Sequence, residues 1–90
     1  MPLATPRISV IVPLYNKGPH VHRSLVSIAA QHFTDFEVIV VDDGSRDDGP
    51  EKVKRFLAMD SRFRLVRQPN AGPGAARNRG LAEARGEFCA

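Results

Sequence analysis

The sequence predicts an α/β fold in the order βαβαβαβ, a Rossmann-like parallel sheet with helices on both faces. Three observations carry this prediction. Short runs rich in Val and Ile alternate with segments whose apolar residues recur at helical spacing. The connections have the length that parallel crossovers require. The stretch FEVIVVDDGS, Phe36 to Ser45, holds five apolar residues with no polar alternation after Glu37, then two acids and a Gly-Ser turn. It reads as a strand buried on both faces that surfaces at the sheet edge where open α/β sheets bind ligands.

The elements follow in order. Ile8, Val10, Ile11 and Val12 carry a first strand, which Pro13 is expected to stop, because proline lacks a donor and holds its predecessor extended. After Gly18-Pro19, the residues Val21, Leu25, Ile28 and Ala29 mark a helix ending near Gln31 and His32. The second strand is the stretch just described. Asp47 or Asp48 then caps a second helix, with Pro50 in its first turn and Val53, Phe56 and Leu57 as its buried stripe. Arg62 to Arg67 alternates as a strand with one wetter face. Pro69 to Gly74 is a loop, and Ala75 to Arg85 a third helix, with Ala75, Ala76, Leu81 and Ala82 as its packing face and Gly86 as its stop. Glu87 to Ala90 starts a fourth strand.

Composition sets bounds on function. Ninety residues form one small domain, and the apolar fraction of 42% and charged fraction of 26% are ordinary for a globular protein. Thirteen Lys and Arg against ten acids leave a formal charge of +3, with ten arginines and no basic run. This suits an anionic small ligand better than nucleic acid, and 7% aromatic residues offer no stacking platform for single strands. Cys89 stands alone, which fits a reducing compartment and excludes an internal disulfide. The apolar runs are too short to span a bilayer.

Three loops fall at the carboxyl ends of the strands: Pro13 to Lys17, Asp42 to Ser45, and Asn70 to Asn78. They should meet at one crevice. Asp43 is the stronger candidate for accepting a hydrogen bond from a sugar hydroxyl or a base. Asp42 is as suited to closing the Gly44-Ser45 turn. Adjacent residues of an extended strand point oppositely, so the two acids are not expected to act as a pair. Gly72 and Gly74 allow close backbone approach to an anion at a helix start, although the third glycine of a dinucleotide fingerprint is replaced by Arg77. Arg77 is read as a partner for phosphate. Tyr15 either stacks on a base or packs over the strand end. His20, His22 and His32 lack companions at metal-ligand spacing.

These residues resemble the amino-terminal half of a family 2 glycosyltransferase with the GT-A fold. VPLYN, VDDGS and NAGPGAARN carry the resemblance, in order and over nearly the whole chain from Arg7. It implies transfer of a sugar from a nucleotide-diphosphate donor, a UDP-sugar, to an acceptor hydroxyl with inversion. It implies that Pro13, Leu14 and Tyr15 line the nucleotide, that Asp43 contacts the base with Asp42 in support, and that Gly72 to Arg77 lie close by. The family's Mg²⁺ or Mn²⁺ is held by acids after the fourth strand, beyond Ala90, and its catalytic base lies farther still.

The expected organisation is therefore a tail, residues 1–6, and a truncated domain, residues 7–90, that binds the donor nucleotide and is inactive alone. A sheet cut inside its fourth strand exposes an apolar edge, which predicts self-association. The acceptor is not identified. The cytoplasm is the expected location, with attachment to the inner face of the membrane open for the full-length protein. The alternative is a nucleotide-binding or receiver-like signalling module without catalysis; the receiver reading needs an Asp after the third strand, where Leu65 to Gln68 supplies none.

Overall fold

A computed structural model describes residues 7–31, 35–86, 88 and 89. The expected tail, His32 and the side chain of Phe88 lie outside the described residues. Four parallel strands and three helices alternate: β1 Ile8–Leu14, α1 Gly18–Ala29, β2 Phe36–Asp43, α2 Gly49–Leu57, β3 Phe63–Gln68, α3 Pro73–Glu83 and β4 Phe88–Cys89. The sheet order is β3-β2-β1-β4. β2 is therefore flanked on both sides, which accounts for its run of buried residues.

Strand alternation assigns the two faces. Phe36, Val38 and Val40 pack with Val21 and Leu25 of α1 and Val53 and Phe56 of α2. Ile39 and Val41 meet Ala76 of α3 on the other face. Helices thus cover both sides, two on one and one on the other. On the two-helix side, Phe63 stands edge-on to Phe56 at 4.8 Å and to Phe36 at 6.5 Å.

Four boundaries and one packing face differ from expectation. β1 runs through Pro13 to Leu14, in register with Val41 and Asp42. Pro13 is the penultimate residue of the strand, where one missing donor interrupts little of the ladder. α1 ends at Ala29, short of Gln31. α3 starts at Pro73 and ends at Glu83, two residues ahead of its expected span, since proline fits the first turn. Its buried face is Ala76 and Gly80, four residues apart, while Leu81 is 46% exposed and Ala82 is exposed. Gly80 sets this face by close approach: a Cβ there would stand 2.4 Å from Ile11 Cγ2. β2, by contrast, ends with Asp42 and Asp43 as expected, both acids taking part in its ladder.

The rim where the strands begin is closed by a polar network. Ser9 and Glu37 are register partners and both buried. Ser9 Oγ donates to Glu37 Oε2 at 2.6 Å, the Arg85 N–H donates to the same oxygen at 2.6 Å, and the Gly86 N–H donates to Ser9 Oγ at 2.8 Å. Arg64 reaches Glu37 at 3.6 Å and Glu83 at 3.1 Å. Burial pushes the Glu37 carboxyl up, but the Ser9 hydroxyl, the Arg85 N–H and the two guanidiniums outweigh it and hold the group below its ordinary value. The turn after α3 is thereby fastened to β1 and β2. No helix among the described residues is long and apolar enough to cross a membrane.

Candidate functional site

Because all strands are parallel, the segments after β1, β2 and β3 leave the sheet on one rim. Cross-links among them are numerous. The Asn16 N–H donates to Ser45 Oγ at 3.0 Å, and the Arg46 N–H donates to Asn16 Oδ1 at 2.8 Å. This clasp needs Asn16 in the left-handed region at φ 51°, which asparagine tolerates better than most residues. Asp47 fastens two helices at once, accepting from the Gly18 N–H at 2.8 Å and from the Gly49 N–H at 2.9 Å. Those two N–H groups, with the Lys52 charge, hold its carboxyl below the ordinary range.

Asp43 organises the third loop. Its Oδ1 accepts from Gln68 Nε2 at 2.9 Å and the Ala71 N–H at 2.8 Å, and its Oδ2 accepts from the Gly72 N–H at 2.9 Å and Asn70 Nδ2 at 3.3 Å. Asn70 Nδ2 also reaches the Asp43 carbonyl at 3.0 Å. Hydrogen bonds from Gln68, Ala71 and Gly72 hold this carboxyl below its ordinary value despite burial. Gly44, at φ 78°, lets the loop approach: a Cβ there would lie 2.8 Å from the Asn70 nitrogen.

Asp42 points to the opposite face and is fully buried. It accepts from the Ser45 N–H at 3.3 Å and pairs with Arg67 Nε at 3.2 Å. It closes the Gly44-Ser45 turn, one of the two roles open to it from sequence. The adjacent acids thus serve different faces of the sheet, as strand alternation requires.

Between the first and third loops lies a cleft of about 460 Å³, lined by Pro13, Leu14, Tyr15, Lys17, Asp43, Asn70, Gly72, Pro73 and Ala76. Its volume is within the usual range of small-molecule sites. It gathers five of the residues singled out from sequence: Pro13, Leu14, Tyr15, Asp43 and Gly72. Tyr15 is 45% exposed, an aromatic face open to the cleft mouth. Arg77 lies elsewhere, bordering a separate hollow of about 260 Å³ with Ile11, Pro13, Leu81 and Cys89. A third hollow, about 470 Å³, sits between α1 and α2 at His22, Lys52, Arg55, Phe56 and Met59 and contains none of the three loops.

The sequence reading placed Asn16, Lys17, Ser45 and Asn70 in the converging loops without giving any of them a role. The signal for Asn16 and Asn70 was their place just after predicted strands, where asparagine side chains satisfy loop backbone. The carboxylates present do not suit a metal ion. Asp42 and Asp43 face apart and have their oxygens occupied, and no group of three His, Cys, Asp or Glu among the described residues could hold one.

The chain was compared with known proteins. Residues 9–90 match the family Glycosyl transferase family 2. Glycosyltransferase GlyG of Streptococcus pneumoniae serotype 4 is 40% identical over 82 residues, 90% of this chain and 27% of that protein. A mannosyltransferase from Pyrobaculum calidifontis, PcManGT, solved in complex with GDP-Man and Mn²⁺, superposes with a TM-score of 0.87 at 34% identity, over 96% of this chain and 26% of its own. S. aureus TarS 1-349 in complex with UDP gives a TM-score of 0.84 at 37% identity, over 92% and 25%. The chain spans about a quarter of the length of each of these relatives. With the four-stranded parallel sheet and its three converging loops, these matches establish that the chain belongs to glycosyl transferase family 2 and has the Rossmann-like α/β arrangement of the GT-A fold.

Proposed function

We propose that the cleft holds the nucleotide of a nucleotide-diphosphate sugar, a UDP-sugar, and that the full-length protein transfers the sugar to an acceptor hydroxyl with inversion. The observation that carries this reading is the meeting of Pro13, Leu14, Tyr15, Asp43 and Gly72 around one cleft. Solved relatives are in complex with GDP-Man or UDP, which supports a nucleotide ligand. Pro13 and Leu14 give an apolar wall, Tyr15 a ring to stack on the base, and Asp43 both a carboxylate at the base and the support for the loop facing it.

In the transfer, the acceptor oxygen attacks the anomeric carbon as its bond to the diphosphate oxygen breaks, and a base takes the hydroxyl proton. Neither Asp42 nor Asp43 is free for that proton, since each carboxylate is already engaged by internal donors. Residues 7–90 therefore bind donor without turning it over. The same stretch self-associates through the open flank of β1 and β4 when it is isolated.

The test is a titration of the full-length protein with UDP, UDP-glucose, GDP and ADP, followed by amide shifts of Asp43 and Gly72. Saturable shifts with uridine nucleotides are expected, together with a product whose anomeric configuration is opposite to the donor's. Binding of no nucleotide, or a product of retained configuration, would overturn the corresponding half of the proposal.

A further inference from the structure

We propose that the hollow between α1 and α2 is a docking site for an acidic peptide segment of another protein, which seats an apolar side chain on Phe56 and Met59 and sets flanking carboxylates against Arg55 and His22. The hollow, about 470 Å³, is lined by His22, Lys52, Arg55, Phe56 and Met59 and shares no residue with the cleft. The proposal is therefore independent of the nucleotide reading.

The lining combines apolar surface with cations and holds no acid. Met59 is 81% exposed, the most exposed large apolar side chain among the described residues, while the Phe56 ring is buried. A surface methionine adapts to apolar side chains of varied shape. Arg55 is exposed and makes no hydrogen bond or ion pair among the described residues, and the exposed His22 ring stands edge-on to Phe56 at 6.1 Å. The neighbouring acids are engaged: Asp48 pairs with Lys52 at 3.6 Å and Glu51 with Lys54 at 3.5 Å, and α1 contains no acid. Arg55 thus lacks a counter-ion, and a carboxylate from outside supplies one. The groove is also built before a partner arrives. Asp47 accepts from the Gly18 and Gly49 N–H groups, Lys52 Nζ donates to the Gly18 carbonyl at 2.9 Å, and Phe56 is held edge-on to Phe63, so both helices are tied in place and little ordering cost remains.

Other occupants fit less well. An anionic membrane is held by clusters of roughly four to eight Lys or Arg, whereas Lys52 and Lys54 are paired and leave Arg55 as the unpaired Lys or Arg of α2. A small inorganic anion would leave the apolar floor unused. A second copy seated about a two-fold axis would bring Arg55 and His22 against their own equivalents. An apolar anchor flanked by Asp or Glu uses both parts of the lining.

The experiment is fluorescence anisotropy on the full-length protein with a labelled amphipathic peptide, leucines at helical spacing among glutamates, and with the same peptide carrying lysine for glutamate. The glutamate peptide should bind saturably and at least about tenfold more tightly than the lysine peptide. Arg55→Glu should weaken it about tenfold and Met59→Ser about fivefold, both with unchanged unfolding midpoints because the two residues are exposed. Absence of saturable binding, equal binding of the two peptides, or binding that either substitution leaves untouched would refute the proposal. So would sedimentation with phosphatidylglycerol vesicles that Arg55→Glu abolishes while the peptide fails to bind, a result that assigns the face to a membrane.

Discussion

The Asp43 carboxylate accepts the N–H of Gly72 at 2.9 Å, across 29 residues of sequence. The residue that ends β2 therefore shapes the loop that forms the far wall of the cleft. Asp43→Asn keeps the size but sets an amide against the N–H groups of Ala71 and Gly72. The expected result is faster hydrogen exchange at those two amides and about a tenfold loss of nucleotide affinity. Unchanged exchange with lost affinity would leave Asp43 as a ligand contact alone.

Acid should loosen the fold, and the sign follows from the carboxyls. Glu37, Asp43, Asp47 and Asp60 are all held below their ordinary values in the folded chain, Asp60 by Arg62. Each adds stability that is fully present above its unfolded pKa, roughly pH 4, and is lost as pH falls through the lower folded value. Urea midpoints should therefore be flat from neutral pH to about pH 5 and drop steeply below pH 4. Glu37→Gln should cost about 2–3 kcal/mol at pH 7 and flatten the acid limb.

Gly44 tests how tightly the second and third loops meet. Alanine there combines a left-handed backbone with a methyl 2.8 Å from the Asn70 nitrogen. Gly44→Ala should lose about 2–4 kcal/mol in chemical unfolding. Gly72→Ala, with the same sign of φ but open space around it, should lose only about 1–2 kcal/mol.

Asn16 separates conformation from hydrogen bonding. Asn16→Gly keeps the φ of 51° accessible and loses only the acceptor for the Arg46 N–H, whereas Asn16→Ala loses both. Alanine should be the more destabilising by about 1 kcal/mol in thermal or urea unfolding. Equal costs would mean that the side-chain acceptor accounts for the whole effect.

Much of this was legible in the sequence, for identifiable reasons. Period and propensity give the four strands and three helices, and parallel order alone sends Tyr15, Ser45 and Gly72 to one rim. Less legible were features that depend on register. Ser9 and Glu37 lie 28 residues apart and look like ordinary polar positions of two strands until pairing sets them side by side. Arg77 shares a loop-helix segment with Gly72, yet the helix had to be phased before its side could be known, and Ala76 with Gly80 sets that phase. Pro13 misled because proline removes only one donor, and the pairing of β1 with β2 carries on through Leu14.

The Ser9, Glu37, Arg85 and Gly86 network sits on the rim away from the cleft, and its placement bears on how such a chain can diversify. Bonds between distant parts of the sequence secure the sheet at that rim. If the cleft holds the donor as proposed, residues of the opposite rim whose side chains make no hydrogen bond or ion pair among the described residues, Tyr15 and Lys17 among them, are open to exchange for others that suit a different base or sugar. Selection can retune the donor at those positions while the anchorage, and with it foldability, is inherited unchanged.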